Sequence, residues 1–345
     1  MEPVAANAPA ATGGRLLAPA CRSAYRFAMT SAPELQTPIV PDAAPGNWVD
    51  RLAPAPLRPY LRLARFDRPI GAWLLLFPCW WSQALASHAS GLSLPSLWYA
   101  TLFLIGAFVM RGAGCTYNDI VDRDFDAGVA RTRHRPIPSG QVSVWQAKAF
   151  MLALCLIGFL VLIQFNPTTI ALGIASLALV AIYPFMKRFT YWPQLVLGLT
   201  FKWGALVGWT AVRGEIELAP VLLYAGAVLW TIGYDTIYAH QDKEDDLAMG
   251  LKSTAIRFGE ATRPWLAVFY AGALGLWAAA MLAAGLRPGL VTVSGLALAA
   301  AVLAWQVATL DLGNPANCLQ RFKSNRFVGW IVLATVLAET ALTRI

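Results

Sequence analysis

From residue 70 onward the chain alternates between long apolar runs and short polar segments. A bilayer core of ~30 Å is crossed by a helix rising 1.5 Å per residue in about 20 residues. Nine runs reach or approach that length, with cores over 70–87, 98–117, 147–165, 169–185, 195–212, 221–238, 265–282, 290–310 and 327–342. The pattern predicts an all-α fold, a polytopic membrane bundle of about nine transmembrane helices. The first run is the shortest.

The polar segments carry the basic residues on alternate sides. Arg58, Arg62, Arg65 and Arg68 precede the first run, and Arg123, Arg131, Arg133, Arg135, Lys187, Arg188, Lys243, Lys252, Arg257, Arg263, Arg321, Lys323 and Arg326 occupy every second connection. Positive charge retained near membrane ends marks the cytoplasmic side, so these connections are expected there. With nine spans the C-terminus falls on the opposite side.

Composition agrees with the patterning. The chain has 345 residues, 57% of them hydrophobic and only 13% charged, with a mean hydropathy of +0.53, which excludes an ordinary soluble globular protein. A net charge of +8 invites a nucleic-acid reading, but the basic residues are dispersed between apolar runs and form no single basic face. No nucleic-acid partner is expected; the partner is the lipid bilayer. The five cysteines and three histidines are scattered without metal-ligand or disulfide spacing. Residues 1–46 are rich in Ala and Pro and lack a sustained apolar run, so they read as a flexible N-terminal extension ahead of a membrane domain over 47–345. The scarcity of acids around Arg15, Arg22 and Arg26 also suits a mitochondrial transit peptide, against which Pro9, Pro19 and Pro33 argue.

Two acidic clusters change this picture from membrane protein to membrane enzyme. At the end of the second run stand Asn118, Asp119, Asp122 and Asp126. If the helix continues, Asn118, Asp122 and Asp126 share one face at i, i+4 and i+8. Two carboxylates ~5 Å apart repel by roughly 3 kcal/mol at an effective dielectric of 20, so a compensating cation is needed. Hard oxygen ligands with room for water favour Mg2+ over zinc. A solvated acidic helix end is the alternative. An EF-hand is excluded, because its sixth position would be Ala127 and its twelfth Arg133.

Beyond the first cluster lie Arg131, Arg133 and Arg135, then Pro136, Pro138, Ser139 and Gly140, a basic turn-forming stretch able to fold over the helix end. Guanidinium grips phosphate oxygens in bidentate fashion, although positive-inside topology also accounts for the charges. Asp235, Asp242 and Asp246 form a second stripe at the end of the sixth run, and Lys252, Ser253 and Thr254 follow. Two acidic ends facing each other would hold Mg2+ ions with a diphosphate between them. Two cations lie inside apolar runs, Arg111 near the first cluster and Lys202 in the fifth run; such residues are functional candidates by default. Gly204 and Gly208 read as a helix-packing pair, and Trp80, Trp81, Trp98 and Trp192 as interfacial aromatics.

The stretches RFDRPIGAWLLLFPCWW (65–81), RGAGCTYNDIVDRDFDAGVARTRHRPIPSG (111–140), YPFMKR (183–188) and GYDTIYAHQDKEDDLAMGLKSTAIRFG (233–259) resemble the UbiA superfamily of intramembrane prenyltransferases, nearest its 4-hydroxybenzoate polyprenyltransferase branch. The likeness runs from about residue 55 to the end. It implies a nine-helix bundle with a central cavity capped by cytoplasmic loops, Mg2+ bound by both acidic motifs, a polyprenyl diphosphate donor and a 4-hydroxybenzoate acceptor prenylated ortho to its hydroxyl, a step of ubiquinone biosynthesis.

Carried over by motif position, the metal ligands are Asn118, Asp119, Asp122, Asp126, Asp242 and Asp246. Asp122, Asp242 and Arg135 are the expected catalytic residues, and Asn118, Arg131, Lys187, Lys252 and Arg111 the expected substrate contacts. The resemblance implies a bacterial inner (plasma) membrane location, with the mitochondrial inner membrane as the alternative. Other aromatic acceptors are used within the superfamily. A cation or organic-anion transporter is the rival of another class, disfavoured because its acids should lie near the bilayer midplane rather than at one edge.

Overall fold

The computed structural model describes residues 43, 46–128, 132–287 and 289–343. The expected extension over 1–46 lies outside them apart from Ala43 and Gly46, as does Arg131. Among the described residues every regular element is helical, as the apolar run lengths predict. Eight helices are long and apolar enough to cross a membrane: Leu97–Val121, Val144–Leu162, Pro167–Phe189, Pro193–Arg213, Leu218–Ala248, Thr254–Ala283, Leu290–Ala308 and Pro315–Thr343. The first expected run forms the 20-residue helix Ile70–Ala89. Trp80, Trp81, Ser82, Gln83 and His88 dilute its apolarity below that of the other eight, so a ninth span does not follow from length and composition.

Local sequence sets where these helices begin. Ser143 and Gln146 form a reciprocal capping box at the start of Val144–Leu162, which satisfies two amide donors that the helix cannot. Asn166 accepts from the Thr169 amide, and Pro167 occupies the first helical position, where a missing N–H costs nothing. Gly214 adopts φ 78° just past Arg213, the left-handed stop that glycine permits.

Burial separates the helices that face lipid from those that line the interior. Only 11% of the apolar window of Pro167–Phe189 is buried, against 61% for Leu218–Ala248, which makes the latter the central helix. It packs against Thr262–Ala283, Pro193–Phe201 and Pro315–Thr343. At its middle Trp81, Trp230 and Trp277 meet with centroids 5.1–5.6 Å apart. The indole N–H of Trp81 donates to the Gly329 carbonyl at 2.9 Å and that of Trp230 to Asn325 Oδ1 at 2.7 Å, so these two aromatic surfaces are buried without stranding their polar ends; among the described residues the Trp277 indole N–H meets no acceptor. Trp81 is fully buried, a correction to the interfacial position expected of it; Trp98 is 58% exposed.

The fifth expected run is two helices, Pro193–Phe201 and Gly204–Arg213, joined by a tight turn at Lys202 and Trp203. The turn is closed by three-residue backbone bonds, Ala205 N to Lys202 O at 2.9 Å and Leu206 N to Trp203 O at 3.0 Å, the tighter helical geometry that marks a break. Gly204 and Gly208 press onto Cys79 of the Ile70–Ala89 helix, where any Cβ at Gly208 would strike the Cys79 backbone carbonyl. The packing role expected of this pair therefore holds.

Candidate active site

The Leu97–Val121 helix stops one residue before Asp122, which adopts φ −95° and ψ 5°; a short helix, Arg123–Gly128, then continues after a bend. The stripe expected from an unbroken helix is therefore bent but not lost: Asp122 N still bonds to Asn118 O at 2.9 Å and Asp126 N to Asp122 O at 2.8 Å. Likewise the Leu218–Ala239 helix gives way to a single tight turn, His240–Asp242, and then to Lys243–Ala248. These two helix ends line one cavity of about 230 Å³.

Asn118, Asp122, Asp126, Asp235, Asp242, Asp245 and Asp246 all contribute to its wall, with Arg135, Lys187 and Lys252 as its cations. Among the described residues of this wall six aspartates face three cations, an excess of negative charge that suits added divalent cations. Among the described residues no three His, Cys, Asp or Glu side chains converge as a ready-made ligand set. The carboxylate-rich wall fits Mg2+, which is held by one or two carboxylates together with water and phosphate oxygens.

The first cluster is held by cations from distant segments. Asp122, 1% exposed, accepts from Lys187 Nζ at 2.6 Å, Arg188 Nη2 at 3.3 Å and Asn118 Nδ2 at 3.2 Å. The Arg188 guanidinium lies 4.8 Å from the Phe125 ring centroid, so the aromatic face fixes its plane. Arg135 Nη1 donates to Asp126 Oδ2 at 2.7 Å and to Asp119 Oδ1 at 3.2 Å. Burial pushes the Asp126 carboxyl above the ordinary carboxylate pKa, with the Arg135 guanidinium opposing the shift.

Asp119, expected as a metal ligand, does not line the cavity. It is 1% exposed, and both its oxygens accept from Arg65 Nη2, at 2.7 and 2.8 Å. Burial opposes charge on Arg65, yet the Asp119 carboxylate holds its pKa above the ordinary guanidinium value.

The structure disposes of the other expected residues as follows. Lys187 and Lys252 are joined through their backbones, Lys252 N donating to Lys187 O at 2.8 Å, which brings the loops at 183–189 and 250–253 together over the cavity. Arg111 is not in the wall; its guanidinium packs 4.9 Å from the Phe201 ring centroid. Lys202 is fully buried and also outside the wall, donating to Leu74 O at 2.6 Å and lying 4.6 Å from the Trp230 ring centroid. Arg131 is outside the described residues. Arg65, Arg188, Tyr183, Gln194 and Asp245 were not singled out by sequence. A local signal exists for Asp245, inside an acidic run, and for Arg188, beside Lys187. Arg65 opens one of the stretches that carry the resemblance, but nothing local pairs it with Asp119, 54 residues away.

Comparison with known proteins gives this geometry a family. A model described as the UbiA prenyltransferase family matches residues 75–332. A protein of Arabidopsis thaliana named 4-hydroxybenzoate polyprenyltransferase, mitochondrial, is 49% identical over 292 residues, covering 84% of this chain and 71% of its own length. The apo structure of a UbiA homolog from Aeropyrum pernix K1 superposes with a TM-score of 0.65 at 29% identity, over 76% of this chain and 97% of that one. A UbiA homolog from Archaeoglobus fulgidus, solved bound to GPP and Mg2+, shares the fold at a TM-score of 0.58 and 19% identity, over 82% of this chain and 99% of that one. With three quarters of its length matched and its two acidic helix ends meeting in one cavity, the chain belongs to the UbiA prenyltransferase family.

Proposed function

We propose that this protein transfers a polyprenyl group from polyprenyl diphosphate to the ring carbon of 4-hydroxybenzoate ortho to the hydroxyl, releasing diphosphate, in ubiquinone biosynthesis. The observation that carries the reading is that Asn118, Asp122 and Asp126 on one side and Asp235, Asp242 and Asp246 on the other, more than a hundred positions apart in the chain, line a single cavity with Arg135, Lys187 and Lys252. The 4-hydroxybenzoate polyprenyltransferase name of the Arabidopsis relative supports the acceptor and donor class. Its mitochondrial name supports the mitochondrial inner membrane over the bacterial membrane expected first. Residues 47–345 form the enzyme domain in this reading, with 1–46 as an extension.

Asn118, Asp122, Asp126, Asp242 and Asp246 would hold Mg2+, which when bound supplies charge neutralisation for the diphosphate. Arg135, Lys187 and Lys252 meet the diphosphate oxygens from the same wall and stabilise the charge that grows as the allylic C–O bond breaks. The electron pair of that bond leaves with diphosphate, and the allylic carbon gains cation character. The phenol ring then supplies the electrons of the new C–C bond, and the displaced ring proton passes to a carboxylate of the cavity. Water must be excluded while the cation lasts, which the bundle interior achieves. Lys187 and Arg188 already neutralise Asp122, so donor binding exchanges protein pairs for substrate pairs rather than creating a charged site from nothing.

The test is incubation of membranes carrying the protein with radiolabelled 4-hydroxybenzoate, polyprenyl diphosphates of graded length, and either Mg2+ or EDTA. Lipid-soluble label that requires donor and Mg2+ is the expected result. Equal labelling in EDTA would remove the metal from the reading.

A further inference from the structure

Arg65 ends the short helix Arg58–Leu63 in a geometry that normally selects glycine. Its φ is 61°; Phe66 N donates to Leu61 O at 2.9 Å and Arg65 N to Arg62 O at 3.0 Å, the paired bonds of a left-handed helix stop. A residue with a Cβ is strained there. The side chain offsets this strain: Nη1 donates back to the carbonyls of Arg62 and Leu63 at 3.0 and 3.3 Å, while Nη2 holds Asp119. The guanidinium is thus fixed at both ends.

Asp119 in turn touches Arg135, at 3.2 Å from Nη1. Unlike Asp119, Arg135 lines the cavity. Its Nη1 is shared between Asp119 and Asp126, and among the described residues its Nε and Nη2 donate no hydrogen bond. A carboxylate offers about four acceptor positions, and three contacts already converge on the two oxygens of Asp119. Ligating a metal would require Asp119 to leave a buried ion pair in which both its oxygens accept from Arg65 Nη2, and to turn toward a wall it does not reach.

We infer that Arg65 and Asp119 are positioning residues that orient Arg135 toward the diphosphate, and that Asp119 is not a metal ligand. The inference rests on the proposed reading of the cavity as the metal–diphosphate site. Its chemistry is that of an outer contact: one ion pair holds the plane of a second guanidinium whose free donors meet the substrate, as outer partners orient inner ligands at metal centres.

The experiment uses the purified full-length chain in detergent, with Mn2+ as a paramagnetic probe, inorganic pyrophosphate as a calorimetric ligand, and steady-state kinetics. Asp119→Asn should bind Mn2+ with the stoichiometry and affinity of the wild type, while Asp242→Asn, the control, loses Mn2+. Asp119→Asn should weaken pyrophosphate binding and raise the donor KM by about 10–100-fold, with the acceptor KM unchanged. Arg65→Gln should show the same loss, and the double variant no more than either single one, because both break one chain of contacts. Mn2+ loss in Asp119→Asn matching that of Asp242→Asn, whatever the donor KM, or an unchanged donor KM with Mn2+ retained, would overturn the inference and leave the metal–diphosphate reading standing. A wild type that binds no Mn2+ would fail that reading instead, and unchanged pyrophosphate affinity in Asp119→Asn would then overturn the inference independently. Should Arg65→Gln not fold, Asp119→Asn decides alone.

Discussion

Lys202 Nζ donates to the carbonyl of Leu74 at 2.6 Å, the oxygen that Pro78, four residues on in the same helix, leaves without its usual amide donor. Proline has no N–H, so position 74 loses its i+4 partner inside a bundle where no water replaces it. The turn that breaks Pro193–Arg213 places Lys202 opposite that gap, and the rings of Trp230 and Tyr234, with centroids 4.6 and 5.2 Å away, face the ammonium. An intramembrane lysine that sequence offers as a functional candidate is thereby occupied in joining two helices.

Lys202→Met should therefore lower stability by about 1–3 kcal/mol, the cost of leaving a buried carbonyl unsatisfied, and should leave the KM for 4-hydroxybenzoate unchanged. Pro78→Ala returns an amide to Leu74, so on that background the cost of Lys202→Met should shrink. Thermal unfolding of the four proteins in detergent measures the coupling; additive losses would show that the two residues do not share this oxygen.

Asp242→Asn should reduce turnover by ~10²-fold or more, as loss of a principal charge-stabilising contact does, with the Tm near that of the wild type. Asp122→Asn should match it in activity but also lose stability, because Lys187 and Arg188 lose the charge they pair with. Label transfer and melting curves of both variants separate the two effects.

Stability should depend on pH through Asp67. Its carboxyl is buried, Oδ1 makes no hydrogen bond among the described residues, and Arg68 approaches Oδ2 only to 3.7 Å. Burial raises its pKa above the ordinary carboxylate value, with Arg68 and Arg65 opposing. A raised folded pKa means that the folded state keeps the proton longer than the unfolded one, so the contribution is full below the ordinary carboxylate pKa and is lost as pH rises through the folded value. Relative to the wild type, Asp67→Asn should gain stability as pH rises across that window. A Tm difference that stays constant from acid to neutral pH would contradict this.

Charge placement also makes a topology testable. On a background lacking the native cysteines, single cysteines replacing Ser139 and Ala248, both exposed, should react with an impermeant reagent from the same side of the membrane. A cysteine replacing Glu215, also exposed, should react only from the other. Labelling of Ser139 and Glu215 positions from one side would break the alternation expected of the basic segments.

Which parts of this protein sequence could determine follows from how far apart the causes lie. Apolar run length is a local property, and it located most of the helices to within a few residues; Ile70–Ala89 and Leu290–Ala308 begin where their apolar runs do, whereas the last helix starts at Pro315, ahead of its apolar core, with the polar turns 315–326. Caps such as Ser143 with Gln146 act over three residues and are equally readable. The acids of each motif were legible because helical spacing groups them on one stripe even where the helix bends at Asp122.

Tertiary structure decided everything that depends on which segment faces which. Asp119 and Asp122 are near neighbours in one motif, yet Arg65 draws the first out of the cavity wall while Lys187 and Arg188 meet the second at it. Trp81 belongs to the interior and Trp98 to the periphery, although both are tryptophans beside apolar runs, because Trp81 meets Trp230 and Trp277. The break at Lys202 has its counterpart in a proline 124 positions earlier in the chain. A buried charge must find its partner wherever packing supplies one, and no periodicity within a single helix records that choice.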